Sequence, residues 1–596
     1  MLPASCSHDV SSATPVTAAA ARLPSQAANH TANHAVGHVV VHALLAFAFC
    51  IGLATNTLAQ ASRNGMVVAQ ETRAARVGVE ILEKGGNAVD AAVATSFALA
   101  VTYPRAGNIG GGGYMVIHLA GANRQIAIDY RETAPKATTR DMFLDENGDP
   151  DPRKSRDSAL SIGVPGTVAG LALAHQRFGS GRLTLAELMA PAIRMARDGI
   201  PIEDDIADTL PRAETRIGRW PSAAKIFLKP DLTALAPGDL MVQKDLAATL
   251  EAIAQHGPRA FYDGPIAEKL AAGIQAAGGI MTAQDLRDYR PILRRPVRGT
   301  YRGHRIVSMP PSSSGGVVLI EMLNILEGYK LGSLAQSSRI HFMSEAMRRA
   351  FADRTVYLGD PAVVSAPLGR LMSKRYAATL RESIDPERAT PSREVHPELG
   401  AMREGDNTTH FSVIDRFGNA VATTTTLNFS YGLGFVAEGT GVLLNNELDD
   451  FAAKPRSSNA SGLVGGEANM PGPGKRPLSS MSPTIVLRDG KPLIITGSPG
   501  SSRIITTVLQ VIVNAVDLNM PIGDAVSNPR FHHQWWPDEI YVEPGLPPGV
   551  TTELTARGHK VVPTPRATSA NSIMVTRDGF VGAPDPRTRG SSAAGY

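Results

Sequence analysis

One stretch of the chain, residues 406–415, constrains the fold more than any other. It reads Asp-Asn-Thr-Thr-His-Phe-Ser-Val-Ile-Asp. A polar, charged run ends at Asn407, and from Thr408 onward apolar and polar residues alternate, which is typical of a half-buried strand. After a turn at residues 416–419, a second strand is predicted over residues 420–427, so the two strands form a hairpin. Thr408 is therefore expected at the head of a strand.

A threonine in this position could be a nucleophile. A hydroxyl is a weak nucleophile without a base beside it, and the free α-amine of an N-terminal threonine can supply that base. Such an amine titrates at about 7.7–8, close to working pH. The chain would have to break between Asn407 and Thr408. Thr408 Oγ could attack the Asn407 carbonyl, and hydrolysis of the resulting ester would complete the break. Two threonines at the start of a strand also reflect ordinary β-propensity, so this stretch alone leaves both interpretations open.

Composition narrows the class of protein. The chain has 596 residues, of which 59 are lysine or arginine and 55 are aspartate or glutamate. This balance excludes a nucleic-acid binder that relies on charge, and a small-molecule partner is expected. Apolar residues make up 43 % of the chain, as in a globular protein of mixed class. No low-complexity linker interrupts the interior after the leader, which predicts one closely packed unit.

The first sixty residues are expected to be a leader. Residues 39–53 form an apolar run, and Ala59-Gln60-Ala61 is a small-x-small cleavage signal, so we predict a signal peptide over residues 1–61 and export to the periplasm. An uncleaved anchor is an alternative, although the run is short for a membrane span; a misassigned start codon is another. Both cysteines, Cys6 and Cys50, fall in the leader, so the mature protein is expected to have no thiol and no disulfide.

Helices and strands alternate along the rest of the chain. Apolar spacing predicts a helix from Thr72 that stops at Gly85-Gly86. Asn87 can cap the next helix, residues 88–101, which is apolar all round and is therefore expected in the core. Further helices are predicted over residues 184–197, 244–256, 265–277 and 317–326, and further strands over 114–119, 125–130, 484–487 and 493–496. Residues 454–475 read as a mobile surface loop or lid. The order suggests helices layered around packed sheets.

Several polar positions could carry chemistry, each with a simpler alternative. Arg131 could hold a carboxylate with its planar guanidinium, or it could be a surface arginine paired to Glu132. Asn428 follows a strand and could bind a ligand or form a turn. Residues 444–451 concentrate amides and carboxylates that could receive an ammonium group; a metal site or a solvated turn is the alternative.

Two loops and a pair of histidines are further candidates for functional residues. Residues 475–483 place three hydroxyls next to two prolines, which Ser-Pro turns alone would explain. Residues 497–503, Gly-Ser-Pro-Gly-Ser-Ser-Arg, could point their amides together as an oxyanion hole or could cradle a phosphate. The nucleotide-binding P-loop pattern and the G-x-S-x-G elbow of serine hydrolases are both missing. His532 and His533 are interpreted as packing residues, because neighbours on a strand point to opposite faces.

In combination these motifs resemble the γ-glutamyltransferase (γ-glutamyltranspeptidase) family, particularly its bacterial periplasmic members, over residues 66–596. The resemblance is carried by motifs at residues 85–92, 110–113, 130–132, 408–410, 444–451, 476–484 and 497–507. It implies an N-terminal-nucleophile hydrolase with an α/β, four-layer αββα sandwich. It also implies that the precursor cleaves itself into a large subunit, residues 62–407, and a small subunit, residues 408–596, which remain together as a heterodimer.

The resemblance assigns roles on matching positions. Thr408 would be the nucleophile, with Thr426 hydrogen-bonded to it, and would transfer the γ-glutamyl group of glutathione or a related amide to water or to an amino acid or peptide. The implied binding residues are Arg131 and Ser479 for the α-carboxylate, Asn428, Glu447 and Asp450 for the α-ammonium, Ser480 in the same pocket, and the amides of Gly500 and Ser501 for the oxyanion. No cofactor or metal is expected.

Two positions depart from the family pattern, and two rival functions remain. Ser501 stands where the family commonly has a second glycine, and Ser461 stands where related bacterial enzymes carry a tyrosine in the lid. A β-lactam acylase of the same fold would keep Thr408 but would not need an ammonium site, and Asp450 together with Arg131 favours the glutamyl head. A non-enzymatic binding protein built on the same fold would be expected to have lost Thr408 or its neighbours.

Overall fold

The structure is a computed structural model that describes residues 60–395, 408–460 and 462–596. Residues 1–59 of the predicted signal peptide, both cysteines, Asn407 and Ser461 lie outside the described residues. None of the helices within the described ranges combines the length and the apolar character needed to span a bilayer.

Nineteen strands occur in the described residues. They are, in chain order, β1 (Gln60–Ser62), β2 (Gly65–Ala69), β3 (Gly112–Leu119), β4 (Arg124–Asp129), β5 (Ile200–Pro201), β6 (Leu240–Met241), β7 (Ile292–Arg294), β8 (Val297–Tyr301), β9 (His304–Ser308), β10 (Thr408–Asp415), β11 (Ala420–Thr426), β12 (Thr484–Arg488), β13 (Lys491–Thr496), β14 (Phe531–His532), β15 (Ile540–Val542), β16 (Val561–Pro563), β17 (Ser572–Val575), β18 (Phe580–Ala583) and β19 (Ser592–Gly595).

The α-helices of the same residues lie mostly between the strands. They are α1 (Thr72–Glu83), α2 (Ala88–Thr102), α3 (Pro152–Arg156), α4 (Thr167–Phe178), α5 (Leu185–Asp198), α6 (Asp204–Gly218), α7 (Pro221–Phe227), α8 (Lys244–His256), α9 (Arg259–Tyr262), α10 (Pro265–Ala276), α11 (Ala283–Asp288), α12 (Gly315–Leu326), α13 (Gln336–Tyr357), α14 (Leu368–Leu371), α15 (Lys374–Glu382), α16 (Ser392–Val395), α17 (Arg503–Val516), α18 (Ile522–Ser527) and α19 (Pro548–Ala556).

Two seven-stranded sheets form the centre of the fold. The first has the strand order β19-β2-β10-β11-β3-β4-β7, and the second has the order β1-β18-β17-β13-β12-β9-β8. Strands β10 and β11 pair as the predicted antiparallel hairpin, with Thr408 opposite Thr426. Because β10 also pairs with β2 and β11 with β3, the hairpin is central in its sheet.

Apolar side chains on the two faces of β10 pack in different cores, which shows the layer that lies on each side of the sheet. Phe411 and Val413 pack in a core with α1, α2, α4, α5 and α8, whereas Ile414 packs in a separate core with Ile485 and Ile495 of the second sheet. The outer face of the second sheet packs on α12, α13 and α17. Successive side chains of a strand point to opposite faces, so the layers are helices, sheet, sheet, helices. The predicted αββα sandwich is thereby confirmed.

The sequence signals for α1 and α2 act as expected. Helix α1 begins at the predicted Thr72 and is followed by Gly85, whose φ of 88° suits a residue that ends a helix. Asn87 caps α2 and, with Asp90, forms a reciprocal pair of side-chain to backbone hydrogen bonds. All fifteen residues of α2 are buried, which confirms the prediction of a core helix.

The last two residues of the predicted leader, Gln60 and Ala61, are part of the second sheet. Strand β1 pairs with β18, with Ala61 opposite Val581. The predicted cleavage site after Ala61 therefore lies within this edge strand, and removal of the leader stays a prediction.

Candidate active site

Thr408 is the first residue of β10, and its side chain lies on the face between the two sheets. It shares this face with His410, Ser412 and Ile414, because side chains two apart on a strand point the same way, and it is buried. Thr426, its partner across the hairpin, accepts a hydrogen bond at Oγ1 from the Asn428 amide at 2.8 Å. The sequence-predicted nucleophile and its predicted neighbour are thus side by side.

His410 holds the neighbouring strands in place behind Thr408. Its Nδ1 lies 2.9 Å from Thr424 Oγ1 and its Nε2 lies 3.2 Å from Ser412 Oγ. Burial lowers the pKa of His410 to about 3, so the ring is neutral at working pH. A Cβ on Gly497 would come within 2.3 Å of this ring, which requires glycine at that position. The packing of His410 on Gly497 fixes where the loop after β13 begins.

The loop of residues 497–502 leads directly into helix α17. Gly500 has a φ of 121° and Ser501 a φ of 49°. The first of these conformations is accessible mainly to glycine, and the second is the left-handed region that glycine adopts most readily. This explains why a second glycine would suit position 501. Ser501 lines the same pocket as Thr408, and backbone amides at the start of a helix are suited to stabilise negative charge.

Arg131 is the charged centre of the pocket. Its side chain is fully buried, its Nε donates to the Pro477 carbonyl at 3.1 Å, its NH1 donates to Glu447, and its NH2 donates to Asp450 at 2.5 Å. The alternative of a surface arginine paired to Glu132 is wrong, because the strand end that carries Arg131 is covered by the Glu447–Asp450 turn. Glu132 Oε2 does lie 3.8 Å from the guanidinium.

Negative charge exceeds positive charge around this guanidinium. Glu132, Glu447 and Asp450 all lie close to Arg131. Burial raises the pKa of Glu132 to about 7 despite the opposing effect of Arg131, and burial also raises the pKa of Glu447 well above its ordinary value. Both oxygens of Glu132 and Oε2 of Glu447 have no hydrogen-bond partner among the described residues. Ionised carboxylates without partners are costly inside a protein, so the pocket is arranged to accept a further cation.

Replacing Glu132 with glutamine is expected to change how stability depends on pH. The pKa of Glu132 in the folded protein lies above that of the unfolded chain, so its contribution to stability is complete below about pH 4 and is lost as pH rises through about 7. The free energy of unfolding of wild type relative to Glu132→Gln should therefore fall between pH 4 and pH 8. Urea denaturation of both proteins across this range measures the difference, and a constant difference would contradict the assigned shift.

The remaining predicted residues surround the same space. Ser479 Oγ accepts from the Met481 amide at 3.1 Å, and Asn428 Nδ2 donates to the Asn446 carbonyl at 2.9 Å. Ser480 Oγ is buried without a hydrogen-bond partner among the described residues. Twelve residues line this pocket: Arg131, Thr408, Thr426, Asn428, Glu447, Asp450, Leu463, Ser479, Ser480, Met481, Ser501 and Ile504. Of the sequence-predicted site residues, Gly500 lines the adjoining cleft instead, and Asn407 lies outside the described residues.

Little free space remains inside the pocket. About 20 Å³ remains free inside it, which is room for about one water molecule. Residues 454–475, predicted to be a surface loop or lid, pack partly against the site: Leu463 lines the pocket, and Asn459 Nδ2 donates to Asp450 Oδ1 at 3.0 Å. Both residues are buried, so this part of the segment is not a surface loop. The reason is the carboxylate of Asp450, which needs the donor that Asn459 supplies.

Sequence reasoning missed some of the groups that shape the pocket. Residues 444–451 are not a solvated turn, since Asn445 is buried and its Nδ2 donates to the carbonyls of Gly110 and Gly163, both at 2.8 Å. Glu132 was predicted only as a surface partner, although a Cβ on Gly112 would come within 2.5 Å of its carboxylate. The glycines at residues 110–113 were the available signal for such a close approach.

The histidines at 532 and 533 make hydrogen bonds within the protein. His532 Nδ1 lies 2.8 Å from Thr506 Oγ1 and its Nε2 lies 2.8 Å from Gln534 Oε1, while His533 Nε2 lies 3.3 Å from Asp538. Both rings are buried, and burial lowers the pKa of each. The two residues therefore pack as neutral side chains in the second half of the chain.

Two helix-flanked sheets with a threonine at the head of a central strand define an N-terminal-nucleophile hydrolase. The model of the family described as gamma-glutamyltranspeptidase matches residues 74–595. The chain is 48% identical over 538 residues to the glutathione hydrolase proenzyme of Escherichia coli (strain K12), across 90% of this chain and 92% of that protein. The chain therefore belongs to the gamma-glutamyltranspeptidase family, and it is an enzyme.

Solved structures agree with the fold. The cephalosporin acylase from Bacillus halodurans superimposes with a TM-score of 0.78 at 27% identity, covering 90% of this chain and 97% of that one. The gamma-glutamyltranspeptidase of Helicobacter pylori superimposes with a TM-score of 0.54 at 44% identity, covering 59% of this chain and 99% of that one. The resemblance and the fold class expected from the sequence are both confirmed.

Proposed function

We propose that this enzyme is a γ-glutamyltransferase and glutathione hydrolase that uses Thr408 as its nucleophile. The observation that carries the proposal is the single pocket in which Thr408 meets one guanidinium and an excess of buried carboxyl groups. A γ-glutamyl head carries one carboxylate and one ammonium. Such a zwitterion needs a cationic partner for the first group and carboxylates for the second, because buried charges must be paired.

When the γ-glutamyl head binds, its charged groups replace one of the ion-pair partners of Arg131. The substrate α-carboxylate takes a place on the guanidinium that Glu447 or Asp450 occupies in this structure, with Ser479 as a further donor. The α-ammonium then pairs with the released carboxylate and with Asn428, and Ser480 lines the same pocket. The head adds no net charge, but its ammonium supplies a cation near the carboxyl groups whose pKa values burial raises.

The chemistry is acyl transfer in two steps. Thr408 Oγ attacks the γ-amide carbon, its proton passes through the α-amine to the leaving amine, and a γ-glutamyl ester remains. The amides of Gly500 and Ser501 stabilise the oxyanion of the tetrahedral intermediate. Water, or the amine of an amino acid or peptide, then attacks the ester and restores the Thr408 hydroxyl.

Maturation precedes this chemistry in the proposal. Cleavage between Asn407 and Thr408 frees the α-amine and divides the precursor into a large subunit, residues 62–407, and a small subunit, residues 408–596. The word proenzyme in the names of the relatives supports a processed precursor. The two parts remain together as a heterodimer because β10 and β11 are paired on both sides with strands of the large subunit. Export to the periplasm is proposed from the leader sequence.

A denaturing mass measurement on the purified protein, followed by a turnover assay, tests the proposal. The expected result is a fragment that begins at Thr408 and hydrolysis of glutathione by the cleaved protein. A cleaved protein that turns over no γ-glutamyl amide would contradict the proposed function.

The same assay distinguishes the proposed γ-glutamyltransferase from an acylase. The similarity to a cephalosporin acylase supports the acylase alternative. A glutaryl amide lacks the ammonium group of a γ-glutamyl amide but is otherwise the same acyl donor. Preference for the γ-glutamyl compound is expected, since the carboxylate released from Arg131, Glu447 or Asp450, would remain without a cation in the glutaryl complex. Equal or better turnover of the glutaryl amide would favour the acylase.

A further inference from the structure

A large cleft adjoins the pocket of Thr408. Its volume is about 1180 Å³, which exceeds the range of about 300–1,000 Å³ that is usual for small-molecule sites. The cleft begins where the pocket ends: Phe429 and Gly500 line the cleft, and their chain neighbours Asn428 and Ser501 line the pocket. The cleft is therefore the space into which the part of a substrate beyond the scissile amide would extend from a glutamyl head in the pocket.

The charged lining of the cleft is strongly basic. Among the residues that the structure describes, the acids that line it are Asp157, Asp205 and Asp208. The basic residues that line it are Arg105, Arg156, Arg212, Arg216, Arg503, Arg566, Arg587 and Arg589. Two of these arginines are paired with acids just outside the lining, Arg156 with Asp449 and Arg587 with Glu543 and Asp585. Guanidiniums still outnumber carboxylates in and around the cleft, which attracts anions, and a concave surface concentrates such a field.

The three lining acids are already engaged by arginines of the cleft. Asp205 lies 2.8 Å from Arg105, and Asp208 lies 2.8 Å from Arg589. Asp157 lies 3.8 Å from Arg216, whose guanidinium also stacks over the ring of Phe429 at 4.8 Å. The acids of the cleft therefore hold these arginines in place and do not neutralise the others.

Two arginines of the cleft have no such partner. Arg212 lies on α6, one turn before Arg216, and Arg566 lies in the loop between β16 and β17. Both side chains are exposed, and neither makes an ion pair or hydrogen bond with any residue in the described ranges. Guanidiniums bind carboxylates in a planar, two-point geometry, so these two are available to a ligand that brings its own carboxylates.

We propose that this cleft binds an acidic peptide, with Arg212 and Arg566 as the residues that select it. The inference rests on the proposed function at Thr408 and specifies its substrate class: γ-glutamyl compounds whose part beyond the scissile bond carries more than one carboxylate, or acceptor peptides of the same chemistry. As donor, the peptide leaves when the γ-amide C–N bond breaks and its nitrogen takes the proton of Thr408. As acceptor, its amine attacks the ester, forms the new amide and returns a proton to the Thr408 oxygen.

The test compares two donors of equal length. γ-Glutamyl-aspartyl-aspartate is the acidic donor and γ-glutamyl-alanyl-alanine amide is the neutral one. The wild-type enzyme should show the higher kcat/KM with the acidic donor, and this preference should weaken as salt rises from about 10 to about 500 mM because screening reduces exposed charge interactions. The double variant Arg212→Ala/Arg566→Ala should lower the acidic-to-neutral ratio of kcat/KM about tenfold.

Controls separate the outcomes. Arg577→Ala removes an exposed arginine from the turn between β17 and β18, outside the cleft, and should leave the ratio unchanged. Arg212→Lys/Arg566→Lys keeps the charges and should fall between wild type and the alanine variant. An unchanged ratio in the alanine variant overturns the proposal. If wild type turns over neither donor, the proposed function fails; calorimetric titration with aspartyl-aspartate then tests the cleft alone, and equal affinity of wild type and alanine variant overturns the proposal.

A second experiment shows whether the acidic peptide is the leaving part of the donor or the acceptor. γ-Glutamyl anilide serves as donor, and aspartyl-aspartate or alanyl-alanine amide as acceptor. If acidic peptides enter as acceptors, the variant loses transfer to aspartyl-aspartate, whereas transfer to the neutral acceptor and hydrolysis remain in the wild-type proportion. If they enter only as the leaving part of the donor, the loss is confined to the first experiment.

Discussion

The Thr408→Ala variant is expected to be isolated as one uncut chain with no measurable turnover of γ-glutamyl amides. The alanine has neither the Oγ that would attack the Asn407 carbonyl nor the nucleophile of the acyl transfer, so both reactions stop together. Loss of a covalent nucleophile lowers kcat by about 10⁴-fold or more. Denaturing mass analysis and a glutathione hydrolysis assay measure the two effects.

Two further variants serve as controls for that result. Thr408→Ser keeps the hydroxyl and the α-amine, and should be cleaved and active at a reduced rate. Thr409→Val changes the adjacent threonine, which points to the opposite face of β10 and whose Oγ1 has no hydrogen-bond partner among the described residues; it should be cleaved and active like wild type. Normal cleavage of Thr408→Ala would exclude Thr408 as the processing nucleophile.

The Arg131→Ala variant is expected to combine the second-largest loss of activity with a large loss of stability. It removes the group that pairs with Glu447 and Asp450, and the fully buried Glu132 loses its nearest cation. Removing one partner of a buried ion pair costs about 3–5 kcal/mol, because the other charge remains without compensation. The turnover of γ-glutamyl donors should fall at least 100-fold, since the α-carboxylate loses its charge-assisted hydrogen bonds.

The cause of the instability can be checked separately from the activity. Adding Glu132→Gln to Arg131→Ala removes one of the stranded carboxylates and should restore part of the free energy of unfolding without restoring turnover. Arg131→Lys keeps a positive charge but lacks the planar guanidinium whose three nitrogens reach Pro477, Glu447 and Asp450 separately, and should lie between wild type and alanine in both measurements. Denaturant unfolding and kcat/KM together test this, and an Arg131→Ala protein as stable as wild type would contradict the paired-charge account.

Local patterns sufficed for much of the fold. The hairpin of β10 and β11 and the buried helix α2 lie within one or two residues of their predicted ranges, because alternation and capping act over a few residues. The hairpin boundary also located Thr408 at the head of its strand. The motifs that resemble the family then brought together residues that no local pattern connects.

The environments of those residues depended on tertiary structure. From sequence, Arg131 could be a surface arginine; in the fold it is enclosed by Glu447 and Asp450, more than 300 positions away. Its burial follows from the packing of the second half of the chain onto the first. Part of the segment of residues 454–475 likewise packs on the site, where Asn459 donates a hydrogen bond to Asp450.

Strands, core helices and a threonine where a strand begins could be read from the sequence, because side-chain periodicity and backbone capping are set by neighbours along the chain, and the family motifs added the class of the protein. The electrostatics of the site could not be read in this way. The excess of carboxyl groups around Arg131 and the arginine-lined cleft are assembled from distant segments, and the energy of a charge depends on its burial and on the charges near it in space.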